Sequence, residues 1–83
     1  MPEAFVYVLK SERNERFYVG WTTNVAARFE AHNAGRVKAT CYLRPWQVVY
    51  VEKHGTATDA RKREWQLKRM KSRVFIEVLI EAG

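Results

Sequence analysis

The sequence contains a single cysteine, and none of its apolar stretches is long. Cys41 has no second cysteine for an intramolecular disulfide, so a reducing compartment is expected. No apolar run approaches the roughly 20 residues that cross a bilayer, and the N-terminus carries neither the basic leader nor the apolar block of a signal peptide. Internal repeats and low-complexity tracts are absent. These absences predict one small cytoplasmic domain over residues 1–83, with no membrane segment.

Acidic residues are few relative to basic ones. The chain has 9 Asp and Glu against 15 Lys and Arg, a formal net charge of +6. Seven of those 15 cations fall within residues 61–73, where Glu64 is the single acid. This one-sided charge favours a polyanionic partner such as a nucleic acid, although a solvated helix face would give the same pattern.

Near the start of the chain, two runs rich in β-branched and aromatic residues predict a β-hairpin closed by a polar loop. The predicted strands are residues 4–10 and 16–21. If Lys10 faces Glu15, the register sets Tyr7 opposite Tyr18 on one face of the sheet. The other face would hold Val6, Val8, Phe17 and Val19. A slip of one residue would separate the two tyrosines.

A helix is predicted directly after this hairpin. Asn24 or Thr23 suits its N-cap, and Gly35 suits its C-terminal cap. The helix covers residues 25–32, and its expected core-facing side chains are Val25, Ala26 and Phe29. Arg28 and His32 are four residues apart, so they lie on one helical edge.

The second half of the chain predicts an irregular segment, a third strand and two further helices. The irregular segment is residues 36–45 and the strand is residues 46–52. Thr56, with Asp59 three residues on, begins a basic helix over residues 57–70. Ser72 could cap a last helix with Val74, Phe75, Val78 and Leu79 turned inward. A fourth strand is the competing interpretation of that C-terminal segment.

Glu64 is out of place in the basic helix. It continues the apolar stripe formed by Ala57, Ala60 and Leu67, which faces the sheet. Because an unpaired buried charge is costly, we expect a cation, a metal ion or a hydrogen-bond donor beside it. An intrahelical pair with Lys68 or Arg61 would also explain it.

Two tyrosines, an arginine, a histidine and a glutamate suit the cleavage of a phosphodiester. A carboxylate can hold Mg²⁺ (or Mn²⁺), with waters and substrate oxygens completing the shell. The metal and Arg28 would offset the charge that develops on the phosphate. A tyrosine could orient or deprotonate the attacking water, or protonate the leaving group, and to act as a base near neutrality it needs a nearby cation.

The motifs resemble the GIY-YIG nuclease superfamily, particularly its small stand-alone bacterial members, which are similar to the amino-terminal domain of the excision-repair nuclease subunit. Val6-Tyr7 matches the first half-motif, where Phe5 replaces a glycine, and Tyr18-Val19-Gly20 matches the second. The match continues through Arg28, His32, Asn33, Gly35, Arg44-Pro45-Trp46, Val49-Tyr50, Glu52 and the segment ARKREWQLK around Glu64. It extends over nearly the whole chain.

The resemblance implies an α+β fold, a three-stranded antiparallel sheet flanked by helices in the order β-β-α-β-α-α. It also implies an endonuclease that hydrolyses DNA in repair or recombination with a divalent metal. The implied catalytic residues are Tyr7, Tyr18, Arg28, His32 and Glu64, with Glu64 as the metal ligand. Family members commonly borrow specificity from an attached module, so a homodimer or a separate targeting protein is a further expected partner.

Five cations are the candidate nucleic-acid contacts: Arg36, Lys38, Arg61, Lys68 and Lys71. Two other classes of function remain open at this point. One is a nucleic-acid-binding module that keeps the fold without turnover, and it predicts binding that weakens steeply with salt. The other is an interaction domain whose positive charge serves a protein partner.

Overall fold

The apolar runs of the sequence form three strands of one antiparallel sheet. The computed structural model, which describes residues 3–83, gives the spatial order β2-β1-β3. The strands are β1 (Ala4–Ser11), β2 (Phe17–Thr22) and β3 (Trp46–His54). The predicted sheet is confirmed, and β3 continues beyond its predicted end to His54.

Three helices flank this sheet, which confirms the α+β architecture. They are α1 (Val25–Asn33), α2 (Ala57–Met70) and α3 (Arg73–Ala82). Each begins at a predicted cap, because the side chains of Asn24, Thr56 and Ser72 accept a hydrogen bond from the backbone N–H three residues on. The C-terminal segment is thus a helix, not a fourth strand. Within residues 3–83, none of the helices has the length and apolar character needed to span a membrane.

The end of α1 differs in detail from the prediction. Val25 and Phe29 are half-buried as expected, but Ala26 is exposed. The C-cap is Ala34, and Gly35 follows it with φ of 79°, in the left-handed region that favours glycine. A short 3₁₀ turn, Cys41–Leu43, interrupts the otherwise irregular connection to β3.

The predicted hairpin register is wrong by two residues. Lys10 pairs with Phe17 rather than Glu15, so Tyr7 lies opposite Gly20 and not opposite Tyr18. The reason is the turn, in which Glu15 has φ of 62° and the Ser11 N–H donates to the Arg16 carbonyl at 2.8 Å. A shift of two residues preserves the alternation of side chains, so both tyrosines remain on the same face.

The two faces of the sheet bury different sets of residues. One face packs on α2 and α3 through a cluster of Ala4, Val6, Val8, Val19, Ala60, Leu67 and Ile76. The opposite face, beneath α1, buries Tyr7, Leu9 and Trp46, with Tyr18 and Phe29 packed against them. The first face supplies the aliphatic core and the second carries the aromatic side chains.

Helix α3 is rotated by about one residue from its predicted orientation. Ile76 is its buried residue and Phe75, Leu79 and Ile80 pack beside it, whereas Val74 and Val78 are exposed. The prediction failed because apolar side chains occupy almost every side of this helix, so periodicity does not determine which side faces the sheet.

A polar contact joins α2 to β3 at the edge of the aliphatic core. The Glu52 carboxylate accepts hydrogen bonds from the Tyr50 hydroxyl at 2.7 Å and from Arg63 Nε at 2.9 Å, and His54 Nε2 lies 2.8 Å from it. Burial alone would raise the pKa of Glu52, but these hydrogen bonds together lower it. The Arg63 contact fixes the rotation of α2 and therefore the side on which Glu64 lies.

Substitution of the buried leucine of α2 should show how strongly this helix is held. Leu67 is 3% exposed, and Leu67→Ala should lower the free energy of unfolding by about 2–4 kcal/mol because it leaves a cavity under the sheet. Met70, 50% exposed on the same helix, is the matched control, and Met70→Ala should change stability by less than about 1 kcal/mol. Urea unfolding measures both, and equal losses would contradict this packing.

Candidate active site

The hydroxyl of Tyr7 lies in a space that only glycine leaves open. Tyr7 is 2% exposed and faces Gly20 across the β1–β2 pair. A Cβ on Gly20 would stand 2.6 Å from Tyr7 Cζ and would collide with the hydroxyl itself. Gly20 therefore permits the close approach of a neighbouring side chain, which places the phenol against the strand.

Helix α1 closes the other side of this phenol with His32. Its imidazole is fully buried, and Nε2 lies 2.9 Å from the Tyr7 hydroxyl. The Tyr18 ring is 4.9 Å from the imidazole and 6.4 Å from the Tyr7 ring, measured between centroids. The two tyrosines and the histidine thus form one aromatic cluster.

His32 is neutral at physiological pH. Burial, together with the positive charge of Arg28, lowers the pKa of His32 to about 4. Arg28 is exposed on α1 one turn before it. A neutral imidazole keeps one nitrogen free to accept a hydrogen bond.

Tyr7 is protonated at the same pH. Burial raises its pKa, the Arg28 guanidinium opposes that rise, and the neighbouring Tyr18 and Glu64 add to it. Arg28 therefore acts on both Tyr7 and His32, and it is the exposed member of the three. This position makes Arg28 a cation that an anion approaching the cluster can reach from solvent.

Glu64 approaches the cluster from α2, which packs on the opposite face of the sheet. The side chain is 22% exposed, and its Oε1 lies 3.8 Å from Lys68 Nζ. Lys68 Nζ in turn lies 5.4 Å from the centroid of the Tyr18 ring. Since β2 is an edge strand, residues of α2 reach around it towards the tyrosines.

These side chains occur within a sequence that matches a known catalytic domain. Residues 3–75 match the family described as the GIY-YIG catalytic domain. The chain belongs to the GIY-YIG family. It is thereby a member of a nuclease superfamily, whose enzymes generally depend on a divalent metal and act on DNA.

Its relatives are small proteins of similar length. It is 41% identical over 69 residues to the UPF0213 protein SH2523 of Staphylococcus haemolyticus, covering 82% of this chain and 83% of the relative. It is 41% identical over 80 residues to the UPF0213 protein lwe0147 of Listeria welshimeri, covering 95% and 88%. The solution structure of the UPF0213 protein BH0048 from Bacillus halodurans is similar with a TM-score of 0.61 and 27% identity, covering 98% and 85%.

The structure brings some of the predicted site residues of this GIY-YIG chain together and leaves others apart. Tyr7, Tyr18 and His32 are in direct contact, while Arg28 and Glu64 act on Tyr7 through their charges. Of the predicted nucleic-acid contacts, Lys68 lies over Tyr18 and Lys71 ends the same helix. The remaining three are exposed, and Arg61 among them lines a depression together with Glu64: Arg36, Lys38 and Arg61.

Sequence reasoning missed two residues that hold the histidine and its surroundings. Thr40 Oγ1 lies 2.7 Å from His32 Nδ1, and its carbonyl accepts a hydrogen bond from Trp46 Nε1 at 3.0 Å. Asn33, noted only as part of the motif, binds the backbone of Trp46 through both atoms of its amide, at 2.6 Å and 3.2 Å. The sequence carries no signal for Thr40, since a threonine in an irregular polar segment is ordinary.

The donor set suits a magnesium ion better than a structural metal. In residues 3–83 no group of three or more His, Cys, Asp or Glu side chains could hold a metal ion. Mg²⁺ needs only one or two carboxylates, because it retains waters and binds substrate oxygens. The half-buried Glu64 meets that requirement.

A methyl group at Gly20 should disrupt the site. Gly20→Ala is expected to lower the free energy of unfolding by about 1–3 kcal/mol, because the Tyr7 ring is held by His32 and cannot retreat freely. Gly55 is the matched control, since a Cβ there meets nothing within 4 Å, and Gly55→Ala should cost less than about 0.5 kcal/mol. Urea unfolding of both variants tests this, and a Gly20→Ala protein as stable as the control would refute the enclosure.

The buried imidazole should also make stability depend on pH. In the unfolded chain His32 titrates near pH 6.5, whereas in the folded protein its pKa is about 4. Below pH 6.5 the unfolded state binds a proton that the folded state does not, so stability falls as the pH is lowered towards 4, by about 3 kcal/mol in all. Above pH 6.5 this contribution is constant.

Urea unfolding between pH 7.5 and pH 4 measures the effect. The His32→Gln variant, which keeps a hydrogen-bonding side chain at the site but cannot titrate, should show a shallower pH dependence in that window. Identical slopes for the two proteins would contradict a buried neutral imidazole.

Proposed function

We propose that this chain is a divalent-metal-dependent endonuclease that hydrolyses phosphodiester bonds in DNA. The supporting observation is the hydrogen bond between Tyr7 and His32, which lies beneath the exposed Arg28 in a GIY-YIG domain. A role in repair or recombination, with a second copy or a separate targeting protein helping to choose the site, belongs to the same proposal.

Arg28 is the proposed phosphate-binding residue. It is exposed, and its charge already acts on the two groups that would handle protons. A guanidinium suits this role because its fork of donors matches the oxygens of a phosphate. A phosphate bound there would also offset one of the two causes that lower the pKa of His32, which makes the imidazole a better base when substrate is present.

Tyr7 and His32 form the proposed proton path. The Tyr7 hydroxyl can take a proton from the attacking water while its own proton passes to His32 Nε2, 2.9 Å away. The water becomes a hydroxide that forms a new bond to phosphorus. The bond between phosphorus and the leaving oxygen breaks, and that oxygen departs as an alkoxide that takes a proton from solvent. The Tyr7 proton has an acceptor in His32 Nε2, so we assign the base function to Tyr7 rather than to Tyr18.

Tyr18 and Lys68 are proposed to contact the phosphate from the other side. Tyr18 is half-buried, less enclosed than Tyr7, and the Lys68 ammonium lies over its ring. Beside this pair, an open depression carries further cations from the residue before β2, from the end of α2 and from the start of α3. Its basic residues are Arg16, Lys68, Lys71 and Arg73.

That depression is the proposed path of the DNA backbone away from the site. Lys68 and Lys71 are nucleic-acid contacts predicted from the sequence. Arg16 and Arg73 are added because the fold places them on the same depression. The contacts of Arg36, Lys38 and Arg61 with nucleic acid remain part of the proposal. Phosphate contacts of this kind predict an affinity that falls steeply with salt, because each one releases counterions.

Glu64 is the proposed ligand of Mg²⁺. When bound, the ion would offset the negative charge that accumulates on the phosphate in the transition state. In the protein alone Glu64 pairs with Lys68 at 3.8 Å and is 22% exposed, so its carboxylate remains accessible. Release of Lys68 from this pair would free the ammonium for the DNA.

Loss of the Glu64 carboxylate should abolish cleavage. Glu64→Ala is expected to reduce the rate by at least about 10²-fold, because the metal ion whose positive charge would stabilise the transition state loses its ligand. A gel assay on labelled duplex, flap, branched and single-stranded DNA, with Mg²⁺, Mn²⁺ or chelator, measures it and ranks the substrates. Glu81→Gln, at an exposed position of α3, is the matched control and should cut like the parent protein.

The same assay separates this proposal from the binding-module alternative. A Glu64→Ala protein with full activity would overturn the assignment. Salt-sensitive binding with no cutting under either metal, unchanged in Glu64→Ala, would favour a module that binds DNA without turnover.

A further inference from the structure

Both nitrogens of the buried His32 have a fixed partner. Nε2 meets the Tyr7 hydroxyl at 2.9 Å, and Nδ1 meets Thr40 Oγ1 at 2.7 Å. Thr40 is 1% exposed, so its hydroxyl is as enclosed as the ring that it touches. The imidazole is therefore cut off from solvent, and its neighbours decide which nitrogen carries the proton.

One tautomer satisfies every proton in this group. With the proton on Nδ1, His32 donates to Thr40 Oγ1, and the Thr40 hydroxyl donates to the Val37 carbonyl at 3.3 Å. Nε2 is then bare and accepts the proton of the Tyr7 hydroxyl. The Tyr7 oxygen remains free to accept from Arg28, which has donors only.

The other tautomer leaves a buried proton without an acceptor. With the proton on Nε2, the Thr40 hydroxyl must turn to Nδ1 and His32 must donate to the Tyr7 oxygen. The proton of Tyr7 then has no acceptor, because in the part of the chain that the structure describes His32 Nε2 is the one acceptor bonded to that hydroxyl, and the neighbouring Arg28 has donors only. An unsatisfied buried hydroxyl is costly, so this arrangement is disfavoured.

Thr40 is held firmly enough to impose this choice. Its backbone N–H donates to the Val37 carbonyl at 3.1 Å, and its carbonyl accepts from the Trp46 indole at 3.0 Å. Trp46 is itself fixed by the Asn33 amide. The hydroxyl of Thr40 is thus placed by its own backbone and by β3, and not by the histidine alone.

We propose that Thr40 is a positioning residue that keeps the proton of His32 on Nδ1 and so leaves Nε2 bare towards Tyr7. The tautomer follows from the hydrogen bonds alone, while its catalytic consequence rests on the proposed function. In the hydrolytic step the Tyr7 O–H bond breaks as an N–H bond forms at Nε2, and the Tyr7 oxygen gains the proton of the water. In the resulting imidazolium, the Nδ1 proton stays on His32 and remains hydrogen-bonded to Thr40 Oγ1. With the opposite tautomer, Nε2 could not accept that proton.

The tautomer can be read without any activity. Long-range ¹H–¹⁵N spectra of the ¹⁵N-labelled full chain at pH 7 distinguish a bare ring nitrogen from a protonated one. We expect a protonated Nδ1 and a bare Nε2 for His32. A protonated Nε2 in the unsubstituted protein would overturn the proposal, whether or not the protein cuts DNA.

Two variants of Thr40 then test its role. Thr40→Val keeps the shape but removes the hydroxyl, so the population of the Nε2-protonated form should rise and kcat should fall about 10²-fold, with KM nearly unchanged. Thr40→Ser keeps the hydroxyl and should restore both the tautomer and most of the rate. Equal kcat values for Val and Ser, or a Val variant that retains the Nδ1 proton, would refute the positioning role.

The design separates the two proposals. If the unsubstituted protein cuts no DNA but shows the Nδ1-protonated ring, the nuclease assignment fails and the role of Thr40 in setting the tautomer stands. If Thr40→Val does not fold, Thr40→Ala, which also lacks the hydroxyl, takes its place in both measurements.

Discussion

The structure depends on the enclosure of one phenol hydroxyl. Tyr7 is confined by Gly20 on the adjacent strand and by His32 on α1. A movement of the ring away from either neighbour would bring it into collision with the other or break its hydrogen bond. The sheet must bring a residue without a side chain opposite Tyr7, and the helix must start where His32 can reach back over it. The hairpin turn and the Asn24 cap together meet both conditions.

Much of the fold can be predicted from local chemistry. Capping side chains mark the start of every helix, and α2 begins and ends where the sequence indicates. The alternation of apolar residues assigns each strand residue to a face, which is why both tyrosines lie together despite the wrong register. The register itself depends on a turn with a left-handed Glu15, and a polar loop gives no signal for that conformation.

Two other features of the fold cannot be predicted from local sequence patterns. The orientation of α3 depends on how Ile76 fits beneath the sheet, since Val74 and Val78 are equally apolar but remain exposed. Between β1 and β3 the register shifts after Val8, so neighbouring residues of β3 no longer alternate strictly. Of the site, the charged and aromatic members are recognisable by spacing, whereas Thr40 enters through a loop whose path only the folded chain defines.

The division of the sheet into two faces has a consequence for how such a chain can change. In β1, every second side chain belongs to the aliphatic layer under α2 and α3, and the side chains between them, Tyr7 and Leu9, belong to the aromatic layer. The insertion or deletion of a single residue within β1 ahead of Tyr7, if no bulge absorbed it, would exchange the faces of the side chains on the two sides of that point, so that the phenol or its aliphatic neighbours would face the other layer. A change of one residue in the length of this strand therefore needs a compensating bulge, such as the register shift that already separates Val8 from Leu9 in the pairing with β3.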